Sequence, residues 1–214
     1  MKRILLSFLI ITLTFSCSES DDTENQATPP EANFYALTVG NSWVYKNYKY
    51  NTSTENYENT GVLDSVSIVG TETVMENTYY KFRRLTTGNE EQITFCNPNG
   101  EYFELLRENS GNLVNEDGVI QFTNNDFQER LILENPWGTI YETLTEGDST
   151  MTVEAGVFTC INSQRYAKSP EGLQFIGLDY FYYADGVGLI YDTSSFVSES
   201  TPSIIRRLDS YTVQ

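Results

Sequence analysis

The stretch Leu173-Gln174-Phe175-Ile176-Gly177-Leu178-Asp179-Tyr180-Phe181-Tyr182-Tyr183-Ala184-Asp185-Gly186-Val187-Gly188-Leu189-Ile190-Tyr191 decides the fold class. Two apolar, aromatic-rich runs flank an Asp-Gly pair, the chemistry of a tight antiparallel hairpin. Gly186 is placed to take a positive φ, and Gly188 to allow a bulge or a close approach. The first arm is apolar on both faces. Ile176, Leu178, Tyr180 and Tyr182 alternate against Phe175, Phe181 and Tyr183. A strand that is apolar on both sides is characteristically covered on both. Residues 175–183 therefore read as a central strand whose outer face lies under another layer, a loop or a partner.

Outward from this hairpin, the chain is a series of short β-like runs. Strands are expected at 42–50, 61–69, 78–86, 92–96, 101–107, 119–123, 129–133, 139–144, 150–153, 157–166, 173–183, 187–191 and 204–211. Asn97-Pro98-Asn99-Gly100, Asn109-Ser110-Gly111-Asn112, Glu116-Asp117-Gly118 and Glu154-Ala155-Gly156 punctuate them as turns. Turn signals recur every 8–12 residues or so, and no window carries a helical stripe. The expected fold is all-β: a strongly curved antiparallel sheet or incomplete β-barrel of roughly 10–13 strands. One short helix at most is expected, at 124–130. There is no internal repeat.

The amino terminus carries an address. Lys2 and Arg3 precede an almost unbroken apolar run at 4–15, the shape of a secretory signal peptide spanning 1–16. It is too short for a membrane-spanning helix. Leu13-Thr14-Phe15-Ser16-Cys17 resembles a bacterial lipobox, with Thr14 in place of the customary aliphatic residue. The resemblance implies cleavage before Cys17, lipid on that cysteine, and membrane attachment through it. At about 0.8 kcal/mol per buried CH₂, two or three acyl chains hold such a protein on the membrane. Residues 17–31 read as the lipidated cysteine followed by an acidic, disordered tether, and 32–214 as a single β-domain. Ser18-Glu19-Ser20-Asp21-Asp22 resembles the surface-export signal of Bacteroidetes lipoproteins, which implies an outer-membrane location. Such a domain would be surface-exposed or, if the segment is only a solvated linker, periplasm-facing.

Charge and composition narrow the function classes. The chain has 13 basic and 30 acidic residues and a net charge of −17, which becomes −19 when Lys2 and Arg3 leave with the signal peptide. Nucleic acid is excluded as an expected partner, because phosphate binding needs a basic surface. There is no histidine in the sequence. Ser-His-Asp, Cys-His and His-zinc chemistry are therefore excluded. Cys96 and Cys160 either pair in an oxidising compartment, closing a loop worth about 4 kcal/mol, or remain separate buried thiols.

No catalytic motif emerges. Glu72, Glu76, Glu101, Glu104, Asp179 and Asp185 are acids that a glycosidase could use, but none sits in a recognisable pattern. Asn115-Glu116-Asp117-Gly118 and Asn124-Asn125-Asp126 are oxygen-rich loops without EF-hand spacing, so turn chemistry accounts for them and no metal is expected. Gly186-Val187-Gly188 lacks the rest of a phosphate loop. The excess lies in aromatics, including 15 tyrosines. Trp43, Tyr45, Tyr80, Tyr180 and Tyr182 are the candidate ligand-binding side chains, since rings with a polar tip suit a wet apolar pocket or a sugar face.

Three segments in order, 37–45, 155–160 and 183–190, resemble a group of uncharacterised Bacteroidetes lipoproteins. The resemblance implies a strongly curved sheet or incomplete barrel, similar to lipoprotein-carrier and lipocalin-like shapes, and implies no activity. The expected function is a non-enzymatic envelope lipoprotein that binds an apolar ligand or a surface glycan, without cofactor. The alternatives are a structural or assembly subunit that meets an envelope protein through 175–183, and a carboxylate-based hydrolase.

Overall fold

A computed structural model describes residues 33–214; the signal peptide, Cys17 and the tether lie outside the described residues. Thirteen strands run in chain order: β1 Ser42–Asn51, β2 Asn56–Val74, β3 Asn77–Thr87, β4 Gly100–Asn109, β5 Asn112–Asn115, β6 Ile120–Thr123, β7 Arg130–Asn135, β8 Gly138–Leu144, β9 Ser149–Val153, β10 Gly156–Lys168, β11 Gln174–Ala184, β12 Gly188–Ser194 and β13 Ile204–Thr212. The described residues contain no helix. The strands form one antiparallel sheet in the order β6-β5-β4-β3-β2-β1-β13-β12-β11-β10-β8-β7, with β9 paired to β10 alone. The first and last strands thus meet in the middle of the sheet, where Tyr45 faces Leu208 and Asn47 faces Arg206.

The two edges, β6 and β7, do not pair with each other, yet they are joined by only residues 124–129. That link reaches at most about 25 Å. Eleven interstrand steps of a flat sheet would separate the edges by about 50 Å. The sheet must therefore curl almost onto itself. The ring of Phe122 in β6 stacks on Tyr183 in β11, eight strands away in pairing order, with centroids 4.0 Å apart. Tyr35 ties the same corner, donating its hydroxyl to the Gly111 carbonyl at 2.6 Å and meeting both rings edge-on. The result is an incomplete barrel with a seam between β6 and β7.

The deciding hairpin forms as its residues demand. Gly186 and Gly188 have φ of 70° and 95°, and the register shifts between Tyr182 and Tyr183. β11 is central, between β10 and β12. A loop of this chain crosses it at Gly177, whose N–H donates to the Val197 carbonyl at 3.0 Å. A Cβ there would sit 2.4 Å from the Phe196 carbonyl oxygen, so only glycine admits the crossing. Beyond it, Ile176 is 63% exposed.

Two expected elements are corrected. Residues 92–96 form turns, not a strand: Gln92 and Phe95 take positive φ, and the Asn89 side chain holds the loop through the Asn97 carbonyl and the Ile93 N–H. Residues 124–130 form no helix. The Thr123 hydroxyl accepts from the Asp126 N–H and the Asp126 carboxylate from the Gln128 N–H, satisfying the backbone without helical bonds. β5 arises between two turn signals and was not expected.

If the Phe122–Tyr183 stack holds the curl, Phe122→Ala should lower unfolding stability by about 3–5 kcal/mol, measured as a shift in urea midpoint at constant m. A loss below about 1 kcal/mol would show that the curl does not depend on this ring.

Candidate ligand cavity

Period-two alternation sends one set of side chains from each strand to the inside of the curl. A ladder of polar residues crosses that inner face. Arg130 in β7 faces Glu142 in β8, Glu142 faces Arg165 in β10, and Arg165 faces Asp179 in β11. Asp192 in β12 faces Arg206 in β13, which faces Asn47 in β1, while Asp64 in β2 faces Thr86 in β3. Cross-strand neighbours of opposite charge support each other.

The bonding is dense. Glu142, 2% exposed, accepts from Arg130 at 2.7 Å and from the Arg165 Nε and Nη2 at 2.9 and 2.7 Å. Arg206 donates to both oxygens of Asp192 at 2.9 and 2.7 Å and lies 3.7 Å from Asp64. Burial alone would raise the Asp64 carboxyl, but Arg206 and hydrogen bonds from Thr86, Asn47 and Asn97 hold it below the usual carboxylate range. Burial works against the Arg206 charge too, and Asp192 and Asp64 outweigh it, raising its pKa. Asp179 is the exception. Burial pushes it up to about 6 against Ser195, Arg165 and Thr193.

Beside this ladder lies a cavity of about 260 Å³, whose walls include Trp43, Tyr45, Phe82, Leu106, Phe181 and Tyr183 together with Arg84, Glu104, Arg165, Asp192 and Arg206. Trp43 and Tyr45 are anchored by their tips. The indole N–H donates to the Val187 carbonyl at 2.7 Å, and the phenol donates to the Leu189 carbonyl at 3.0 Å. The Trp43 ring lies parallel to Phe82, and Arg206 sits over Tyr45 at 5.1 Å.

Of the expected ligand residues, Trp43 and Tyr45 therefore line the cavity. Tyr80 packs against the core on β3 without lining it. Tyr180 and Tyr182 do not line it: they alternate with Phe181 and Tyr183, so they point to the opposite face, where they stack on each other and Tyr182 meets Tyr191 edge-on. The acids considered for hydrolysis are scattered. Glu72 pairs with Lys81 and Glu101 with Arg83, Glu76 and Asp185 lie exposed outside the strands, and Asp179 belongs to the ladder. Glu104 alone of the six lines the cavity.

Phe82, Arg84, Phe181, Asp192 and Arg206 were missed as site residues. An arginine inside an apolar alternation, as in Ile204-Ile205-Arg206-Arg207-Leu208, was the signal that could have found the last. Cys96 and Cys160 are both free, so the pairing is not made. Cys160 belongs to the core and Cys96 to the loop after β3, and burial pushes each thiol up to about 11. The Asn115 side chain accepts from the Asp117 and Val119 N–H groups, which is turn chemistry. Among the described residues, no three His, Cys, Asp or Glu side chains converge as metal ligands.

No protein family and no curated protein matches this sequence. The chain is similar to a solved structure described as an exported protein with a YmcC-like fold from Bacteroides fragilis, at 11% identity and TM-score 0.49, covering 85% of this chain and 100% of that one. It is also similar to one described as a lipoprotein from Parabacteroides distasonis, at 16% identity and TM-score 0.44, covering 85% of this chain and 99% of that one.

The Asp179 carboxyl holds its proton more tightly folded than unfolded. Its cost is absent below the unfolded value of 3.8 and fully felt above the folded value of about 6. Asp179→Asn should therefore stabilise the protein by about 1–3 kcal/mol at pH 7.5, with the difference vanishing near pH 4. Urea unfolding of both proteins at the two pH values checks this. A gain independent of pH would rule out the carboxyl's burial as its source.

Proposed function

We propose that the chain is an outer-membrane envelope lipoprotein, held by lipid on Cys17, whose β-domain binds a small ligand and does not catalyse. The observation that carries the binding reading is the interior cavity, where anchored aromatic rings meet charged groups. Ligand sites are concave and largely apolar with a few convergent polar groups. At about 260 Å³ the cavity is smaller than the roughly 300–1,000 Å³ of drug-sized sites, so the ligand is compact, well short of a whole lipid.

The anchor reading rests on the charged start, the apolar run and the small residue before Cys17. With a mature charge of −19, the body itself has no affinity for an anionic membrane surface. The non-enzymatic reading rests on the missing histidine and on the state of the cavity acids. Asp192 is bound bidentately by Arg206, leaving Glu104 as the free carboxyl, whereas glycoside hydrolysis needs two.

A second reading, an assembly subunit, is favoured by an apolar rim. Trp137, Leu173, Ile176 and Phe196 are exposed in and beside the loops that flank β8, β11 and β13. Recovery of a single crosslinked envelope protein through these residues, with no cavity ligand, would favour it.

The test is expression of the full chain and of Cys17→Ser. The wild type should fractionate with membranes, with a mass of residues 17–214 plus lipid, and Cys17→Ser should not. Native mass spectrometry after gentle extraction should then show a small adduct that is lost on unfolding. A soluble wild type would overturn the anchor, and a strictly apo mass would overturn the cavity reading.

A further inference from the structure

Two charged groups in the cavity stand apart from the ladder. Phe82 faces Glu104 and Arg84 faces Tyr102 across β3 and β4, so Arg84 and Glu104 are diagonal neighbours on one face. Diagonal residues of a ladder are about 7–8 Å apart, close enough for one small molecule to touch both. Both line the cavity. None of the salt bridges among the described residues involves either. The Arg84 guanidinium lies over the Tyr102 ring at 4.8 Å, and its Nε is buried without a hydrogen-bond partner. Burial raises the Glu104 carboxyl above the ordinary range, with Arg84 and Arg206 drawing it back. The remaining cavity charges are matched, Arg165 by Glu142 and Arg206 by Asp192 and Asp64.

A buried donor such as the Arg84 Nε is costly left unpaired, and a ligand that accepts from it while donating to Glu104 relieves that cost. Arg84 can only donate, and an ionised Glu104 can only accept. A carboxylate head would satisfy Arg84 but repel Glu104, and an ammonium head would do the reverse. We propose that the cavity selects a neutral ligand whose head places a hydrogen-bond acceptor beside a donor, a carboxamide or vicinal hydroxyls. Arg84 donates to the head, Glu104 accepts from it, and its compact apolar part lies against Phe82, Leu106 and Phe181. This deepens the cavity reading and rests on it.

Four six-carbon probes test the head: hexanamide, 1,2-hexanediol, hexanoate and hexylammonium, titrated into the isotopically labelled domain and followed by NMR. Xenon, which needs only apolar space, reads the cavity itself. Shifts at Phe82, Leu106 and Phe181 are expected with xenon and with both neutral probes. Hexanamide should bind at least about tenfold more tightly than either charged probe. Arg84→Lys and Glu104→Gln keep size and polarity, and each should weaken hexanamide by about tenfold or more while xenon shifts persist. Methyl glucoside separates the sources. Binding tighter than the diol points to a sugar residue, and weaker binding points to a free apolar-tailed molecule. Equal or tighter binding of hexanoate, or hexanamide binding indifferent to both variants, overturns the head-group inference and leaves the cavity standing. Exclusion of every probe, xenon included, overturns the cavity reading instead.

Discussion

Arg206, its side chain 20% exposed, sits on β13 at the join of the two halves of the sheet, holding Asp192 on β12 with two hydrogen bonds and reaching Asp64 on β2. The strands of the N-terminal half run outward from β1 and those of the C-terminal half from β13. The join between them brings together the ends of the chain, so its closure carries the largest loop entropy of any pairing here. A guanidinium taken out of water is costly unless its partners and geometry are right, and removing one partner of such a group is strongly destabilising. Asp64, fully buried, is completed by Thr86, Asn47 and Asn97. The join therefore tolerates little change in register.

The curl follows from that join and the short link between the edges. With β6 and β7 tied by residues 124–129, the inner face closes on itself, and side chains from strands far apart in the sheet become neighbours. Phe122 and Tyr183 fill one corner, and Trp43 and Tyr45 hang from the β11–β12 hairpin by their polar tips. Aromatic filling of this kind accounts for a cavity that is small for so large a sheet. The seam leaves edge strands unpaired, and β6, at Ile120–Thr123, is kept very short, a feature that limits edge-to-edge association.

Much of the fold was legible because strand alternation and turn chemistry are local. The Asp185-Gly186 hairpin, β1, β3 and β13 follow from residue order alone. What failed also failed for physical reasons. Residues 92–96 read as a strand because Ile93, Thr94 and Phe95 favour extended backbone, but Asn89 bonds draw them into a loop. At 124–130, side-chain hydrogen bonds competed with the helix. Tyr180 and Tyr182 stood out as an aromatic pair, yet which face of β11 looks inward depends on pairing across the sheet. Arg84 and Glu104 lie 20 residues apart on separate strands, and only the β3–β4 register makes them a site.

Hydrogen exchange of the Arg206→Met protein under native conditions tests the central dependence most directly. If Arg206 stabilises the join, the variant should lose about 3–5 kcal/mol of stability, with protection falling first at the β1–β13 amides of Lys46, Tyr48 and Arg207. Unchanged protection at those amides, with any loss confined to the β6–β7 seam, would contradict the account.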